Sequence, residues 1–192
     1  MSTQPVPHLT FDQYLEIERA AEFRSEYLQG QMYAMAGASR NHGRILANAM
    51  GSLWEQLRGR ECEAAATDLR IYSALAGISL YPDIVVTFGP DKFHDKLFDT
   101  LVDATAIIEV LSPSTRNFDR GEKFRYYRTL PSFAEYLLLA QDAIRAEHHA
   151  RQPDGSWLFR EFTGPGDVID LKSIGCRLPL EVLYERVTFD AE

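Results

Sequence analysis

The chain has 192 residues, 45% of them hydrophobic and 25% charged, which suits one globular domain spanning 1–192 with a sizeable core. A net charge of −8 argues against non-specific affinity for a polyanion, although a local basic surface suffices for a specific one. No apolar run approaches a membrane span, and the segment MSTQPVPHLTFDQ lacks the basic-then-apolar order of a signal peptide. The two cysteines, Cys62 and Cys176, have no metal-ligand spacing, so a cytoplasmic protein with reduced thiols is expected.

Thr10 and Gln13 have the spacing of a capping box, predicting a first helix through about Ala20. FRSEYLQGQMYAMA then alternates around Gln29-Gly30 and reads as a hairpin. Ser39 or Asn41 caps the next helix, whose apolar stripe is Leu46, Met50, Leu53 and Leu57, widened by Ile45, Ala49 and Trp54 and closed by Gly59. Glu63 to Phe88 reads as two strands joined through Ala76-Gly77, and the polar loop GPDKFHDKLFD leads to a strand in ATAIIEVLS. Asp119 and Glu122 have the spacing of a second capping box, predicting a helix from about Arg120 to Leu130 that Pro131 ends. The strand AEYLLLA follows, then a hairpin of AIRAEHHAR and SWLFREF turned by Pro153-Asp154-Gly155, a turn at GPGD, and a short helix in LPLEVLYERV. This order indicates an α/β or α+β fold, a mixed sheet with helices packed on it.

Two acids stand inside apolar strand-like runs: Asp83 in SLYPDIVVTF and Glu109 in ATAIIEVLS. A carboxylate withdrawn from water costs several kcal/mol (roughly) unless a cation compensates it. Strand alternation puts Asp83 on one face with Tyr81 and Val85, and Glu109 on one face with Ile107 and Leu111. On neighbouring strands in register the two carboxylates would converge, a hard-oxygen pair suited to Mg²⁺ or Mn²⁺. Solvated strand-end acids, or acids paired with arginine, are the alternative.

Pro82-Asp83 followed by Glu109-Val110-Leu111 resembles the PD-(D/E)xK nuclease superfamily, the restriction-endonuclease-like fold. SEYLQGQMYAMAGASRNH, YPDIVV, IIEVLSPSTRNFDRGEKFRYY and FAEYLLL follow the order and spacing of the Uma-type endonuclease family from about Phe11 to the last helix. The resemblance implies a Mg²⁺-dependent (or Mn²⁺-dependent) endonuclease acting on DNA, with the ion held by Asp83, Glu109 and the backbone carbonyl of Val110. One departure matters. Leu111 occupies the position where the superfamily has a lysine, and the resemblance points to Lys123, on the following helix, as its migrated substitute.

Helical spacing groups Arg120, Lys123 and Tyr127, with Arg116 just before, as a cationic face able to hold phosphate. A solvated basic surface paired with Asp119 and Glu122 is the alternative. Glu26, in RSEYL, is a candidate further metal ligand or a solvent-facing strand acid. His42 shares the stripe of Leu46, Ala49 and Leu53 and is a candidate substrate contact or a packed residue. Asp68 is a candidate outer ligand that reads better as a solvated turn acid, and His148 and His149 point to opposite strand faces and read as structural. Phe124, Tyr126, Tyr127 and Tyr136 read as core or its edge, and Glu135 as the support of a basic neighbour.

A catalytically weak or inactive nucleic-acid-binding module on the same fold is the second reading, favoured by the acidic charge and by Leu111. A homodimer pairing through strands such as SWLFREF and AEYLLLA is the third; a dimer is compatible with nuclease action, since two sites cut two strands.

Overall fold

The capping box at the start of the chain forms as expected. In the computed structural model, which describes residues 8–35, 37–66 and 68–189, the Gln13 N–H donates to the Thr10 hydroxyl and the Thr10 N–H to the Gln13 side chain. Helix α1 (Phe11–Ala20) follows. Residues 1–7, scanned above for a leader, lie outside the described residues, as do Ala36, Thr67 and 190–192. Strands β1 (Ser25–Leu28) and β2 (Gln31–Ala34) form the expected hairpin, with positive φ at both Gln29 and Gly30, as a right-twisted two-residue turn requires. Helix α2 (Arg40–Leu57) opens on Ser39, whose hydroxyl accepts from the His42 N–H.

Between Glu63 and Phe88 the expectation of two strands is corrected to four. They are β3 (Cys62–Ala66), β4 (Arg70–Ser73), β5 (Ile78–Leu80) and β6 (Ile84–Phe88). The run breaks near Asp68 and again at Tyr81-Pro82-Asp83, because β3 and β6 pair in one sheet while β4 and β5 pair in another. Asp83 therefore stands just ahead of β6 rather than inside a strand. Next come β7 (Thr100–Leu101) and β8 (Ala106–Leu111). A helical stretch follows in three pieces, α3 (Arg116–Phe118), a π-helical turn (Asp119–Lys123) and α4 (Phe124–Tyr127). The Asp119–Glu122 capping box does not form. The helix already begins at Arg116, Asp119 is buried within it, and Glu122 accepts instead from Arg125 and the Tyr126 hydroxyl. The chain ends in β9 (Glu135–Ala140), β10 (Ala146–Arg151), β11 (Trp157–Phe162), β12 (Val168–Leu171), β13 (Cys176–Pro179) and α5 (Leu180–Leu183).

The main sheet has six strands in the order β11-β10-β9-β8-β6-β3, parallel only between β8 and β9. A five-stranded sheet runs β2-β1-β5-β4-β7, and β12-β13 form a small third one. Side-chain alternation divides the core. Ile84, Val86, Ile108, Val110, Leu137 and Leu139 pack against Ile45, Ala49 and Leu53 of α2. Val85, Ile107, Leu111 and Leu138 face the other way, against Tyr127, Leu130 and Phe133 and against Ile71, Ile78 and Leu80 of the second sheet. Each fully buried Leu or Ile contributes about 1.5–3 kcal/mol, so this sandwich holds the carboxyl end of β8 firmly between α2 and the α3–α4 stretch.

Candidate active site

Register sets the distance between the two acids. Ile84 pairs with Ile108 and Val85 with Ile107, so one step further puts Asp83 opposite Glu109 at the end of the β6–β8 ladder. The Val110 N–H donates to Asp83 Oδ2 at 2.7 Å, and the Asp83 N–H donates to Glu109 Oε2 at 3.3 Å. The expected convergence is therefore present. The two acids differ in burial, because Glu109 sits within β8 at 3% exposure, whereas the Asp83 side chain retains 19%.

Alternation along β8 aims Glu109 toward the helical stretch, where Lys123 meets it with Nζ 2.9 Å from Oε1. The same Nζ lies 3.5 Å from Glu26 Oε1 on β1 and 3.5 Å from Asp119 Oδ1 within the π turn. The Tyr127 hydroxyl, one turn beyond Lys123, donates to Glu109 Oε1 at 3.0 Å. Burial pushes the Glu109 carboxyl well above the ordinary carboxylate range; Lys123 opposes this, while Asp83 and Asp119 push it further up. Burial lowers the Lys123 pKa, but Glu109, Glu26 and Asp119 outweigh it and push it well above the ordinary lysine value. On the far side, His42 at the start of α2 has Nε2 3.0 Å from Asp83 Oδ1. Burial lowers its pKa, yet Asp83, Asp119 and the Val110 backbone together raise it above the ordinary histidine value.

These groups open into a cleft of about 680 Å³ between Ala34, Met35 and Gly37 to Ser39, the start of α2 and the loop 112–115. Asp83, Glu109, Lys123, Glu26 and His42, all anticipated, line it together. Two expected phosphate contacts are not brought in. Arg120 turns outward from the π turn and forms a forked pair with Glu147 on β10, at 2.7–3.0 Å. Its expected shared face with Lys123 is corrected, since a π turn does not keep the α-helical phase. Arg116 stands exposed at the start of α3, outside the cleft lining. Asp119 is a site group the sequence reading missed, and Tyr127, grouped with Lys123 by its spacing, was otherwise read as core. Asp119 was disguised by a capping signature and Tyr127 by its aromatic bulk, although its spacing of four from Lys123 was visible.

The remaining candidates lie outside the cleft lining. Asp68 is exposed and pairs with Arg24. His148 Nε2 lies 3.1 Å from the buried Glu135, which also accepts from the backbone of Lys172 and Ser173, while His149 packs among Phe124 and Phe159 on the other face of β10.

A mixed α/β fold of this kind has a solved counterpart. The crystal structure described as a "putative nuclease belonging to DUF820" from Anabaena variabilis superposes with a TM-score of 0.76 over 94% of this chain and 99% of that one. Identity between the two is 18%, so the likeness is one of fold. The family model Uma2, described as "Putative restriction endonuclease", matches residues 11–181, and the chain belongs to that family, as its motifs implied. Two Synechocystis proteins, "Uncharacterized protein slr1290" and "Uncharacterized protein sll1609", are also similar. The first is 34% identical over 96% of both chains, the second 36% identical over 84% of this chain and 92% of its own.

Proposed function

We propose that the cleft binds Mg²⁺ or Mn²⁺ and hydrolyses phosphodiester bonds in DNA. The observation that carries this reading is a charge imbalance at one point. The carboxylates of Asp83, Glu109, Glu26 and Asp119 surround one ammonium and one imidazole. The donors left over suit a hard divalent cation: both Asp83 oxygens and Glu109 Oε2 carry one hydrogen bond each and keep a lone pair, Glu109 Oε1 is taken up by Tyr127 and Lys123, and the Val110 backbone acceptor faces the adjoining His42 ring. Asp83 and Glu109 would hold the ion, with Val110 completing the protein ligands and Glu26 in reserve. When bound, the cation supplies Lewis-acid stabilisation of phosphate charge and a more acidic water.

The chain's own residues account for the rest. A lysine held charged by three carboxylates is a poor base and a good electrostatic donor, so Lys123 steadies the charge that develops on the phosphate oxygens and orients the attacking water. Tyr127 fixes the rotamer of Glu109, and His42 braces Asp83 while presenting its ring edge to the substrate. The non-catalytic alternative predicts a lysine turned away from the acids, which the 2.9 Å pair to Glu109 disfavours.

Calorimetry with Mn²⁺ and cleavage of supercoiled plasmid test this reading. Wild-type protein is expected to bind the metal and nick DNA only when it is present. Asp83→Ala should lose both, and Lys123→Ala should keep metal binding but cut about 10²-fold more slowly. Metal-dependent cleavage that persists unchanged in Asp83→Ala would sink the proposal.

A further inference from the structure

Two hollows flank the first half of α2. One is the cleft; the other, about 570 Å³, lies on the opposite flank of the helix and is lined by Arg40, Arg44 and Asn48 together with Glu185 and Arg186 beyond α5. Gly43 borders both. Positions 40, 44 and 48 recur at helical spacing on one face, while His42 and Leu46 turn to the cleft. A Cβ at Gly43 would meet nothing within 4 Å, so the ridge between the hollows is bare backbone.

The arginines of this groove differ from those that the fold ties to acids. Arg19, Arg70, Arg120, Arg125 and Arg145 all pair with carboxylates. Among the described residues no hydrogen bond or ion pair engages the side chain of Arg40 or Arg44. Arg186 has only its neighbour Glu185, 3.6 Å away, and both are largely exposed. Acidic residues outnumber basic ones 28 to 20, so guanidinium groups left without acids in a shared groove mark a site for an outside anion. Arg186 also keeps its side chain at φ 57, a backbone conformation that favours glycine.

We infer that this groove holds the phosphodiester backbone of duplex DNA as a strand leaves the cleft and crosses α2 at Gly43, an inference that rests on the nuclease reading. Guanidinium forks match phosphate oxygens, and one carboxylate does not cancel three of them. A helix is about 10–12 Å wide with its side chains. A DNA strand carries one charge per roughly 3.4 Å of axis, so the groove would meet phosphates about three steps from the scissile one.

The test is fluorescence anisotropy of a labelled duplex, with Ca²⁺ present, over a range of salt concentrations. Replacing Arg40→Ala, Arg44→Ala and Arg186→Gly together is expected to weaken binding at least about tenfold and to make the salt dependence shallower by about 2–3 in log K against log salt. Equal affinity and slope in the variant, or no duplex binding by wild type, would overturn the inference. Arg186→Gly alone relaxes a left-handed residue, so weaker binding without a lower melting temperature is expected. A lower melting temperature with unchanged binding would assign Arg186 to structure instead. Hydrolysis of bis(p-nitrophenyl) phosphate by wild-type protein with Mn²⁺ reads the cleft alone, so its absence would count against the nuclease reading whatever the groove binds.

Discussion

Glu109 serves the site at the expense of the fold. It accepts from Tyr127 and from the Asp83 N–H and pairs with Lys123, yet burial and the neighbouring acids hold its pKa well above the ordinary range. An acid with a raised folded pKa binds its proton more tightly folded than unfolded. Its contribution is therefore full below an ordinary carboxylate pKa of about 4 and is lost as pH rises toward the folded value. At neutral pH without metal, ionisation of this group weighs against folding. Glu109→Gln keeps the shape and one of the two acceptor oxygens while removing the charge. It is expected to gain about 1 kcal/mol in EDTA, or roughly 2–4 °C in a chain of this size, and to lose both nuclease activity and the stabilisation of wild type by Mn²⁺. Thermal melts with and without metal check this, and a lower melting temperature in EDTA would contradict it.

At the scale of elements, the π turn sets which residues of the α3–α4 stretch face inward. It buries Asp119 and Lys123 together, four residues apart, and sends Arg120 out to Glu147. Gly121 lies at its centre, where a Cβ would meet nothing within 4 Å and φ is not positive. Contacts at Asp119, Lys123 and Tyr127, rather than glycine's freedom, then hold the turn. Gly121→Ala is expected to stabilise the protein by about 0.4–1 kcal/mol through the unfolded chain and to leave Mn²⁺ affinity unchanged, as denaturant midpoints and calorimetry would show. Weakened metal binding would mean that the turn depends on glycine.

The same turn marks how far the sequence could be read. Asp83 opposite Glu109, and Lys123 reaching them, were legible because strand alternation and a lysine a fixed distance beyond the strand are local patterns. The phase change was not, since an Asp-x-x-Glu signature looks alike at a helix cap and inside a buried π turn. The second sheet was equally hidden. β7 is two residues long and owes its existence to parallel pairing with β4, some thirty residues earlier, a contact no local propensity encodes. The four strands of Glu63–Phe88 merged into two for the same reason, because only tertiary pairing says where the chain changes sheet.

At the scale of the whole molecule, a second polar network behind the cleft ties distant segments together. Asp99 accepts a forked pair from Arg19 of α1 at 2.7–2.8 Å and also pairs with Arg70 of β4. Arg70 donates to the Tyr81 hydroxyl, which donates in turn to Glu18. The Tyr81 N–H lies 3.4 Å from Glu26, so this chain of bonds ends at the acids of the site. Arg19, and then Arg70 and Thr100, hold the Asp99 carboxyl well below the ordinary range against the opposing effect of burial. A depressed folded pKa contributes stability above the unfolded value, about 4, and that contribution is lost as pH falls through and below it. Asp99→Asn leaves the buried Arg70 guanidinium short of its counter-charge. It is expected to cost about 2–3 kcal/mol at pH 7, with the gap to wild type narrowing as pH drops below about 4. Urea midpoints at several pH values measure that gap. A difference that stays constant down to pH 3 would show that Asp99 works through shape rather than charge, and that acid reaches the cleft by another route.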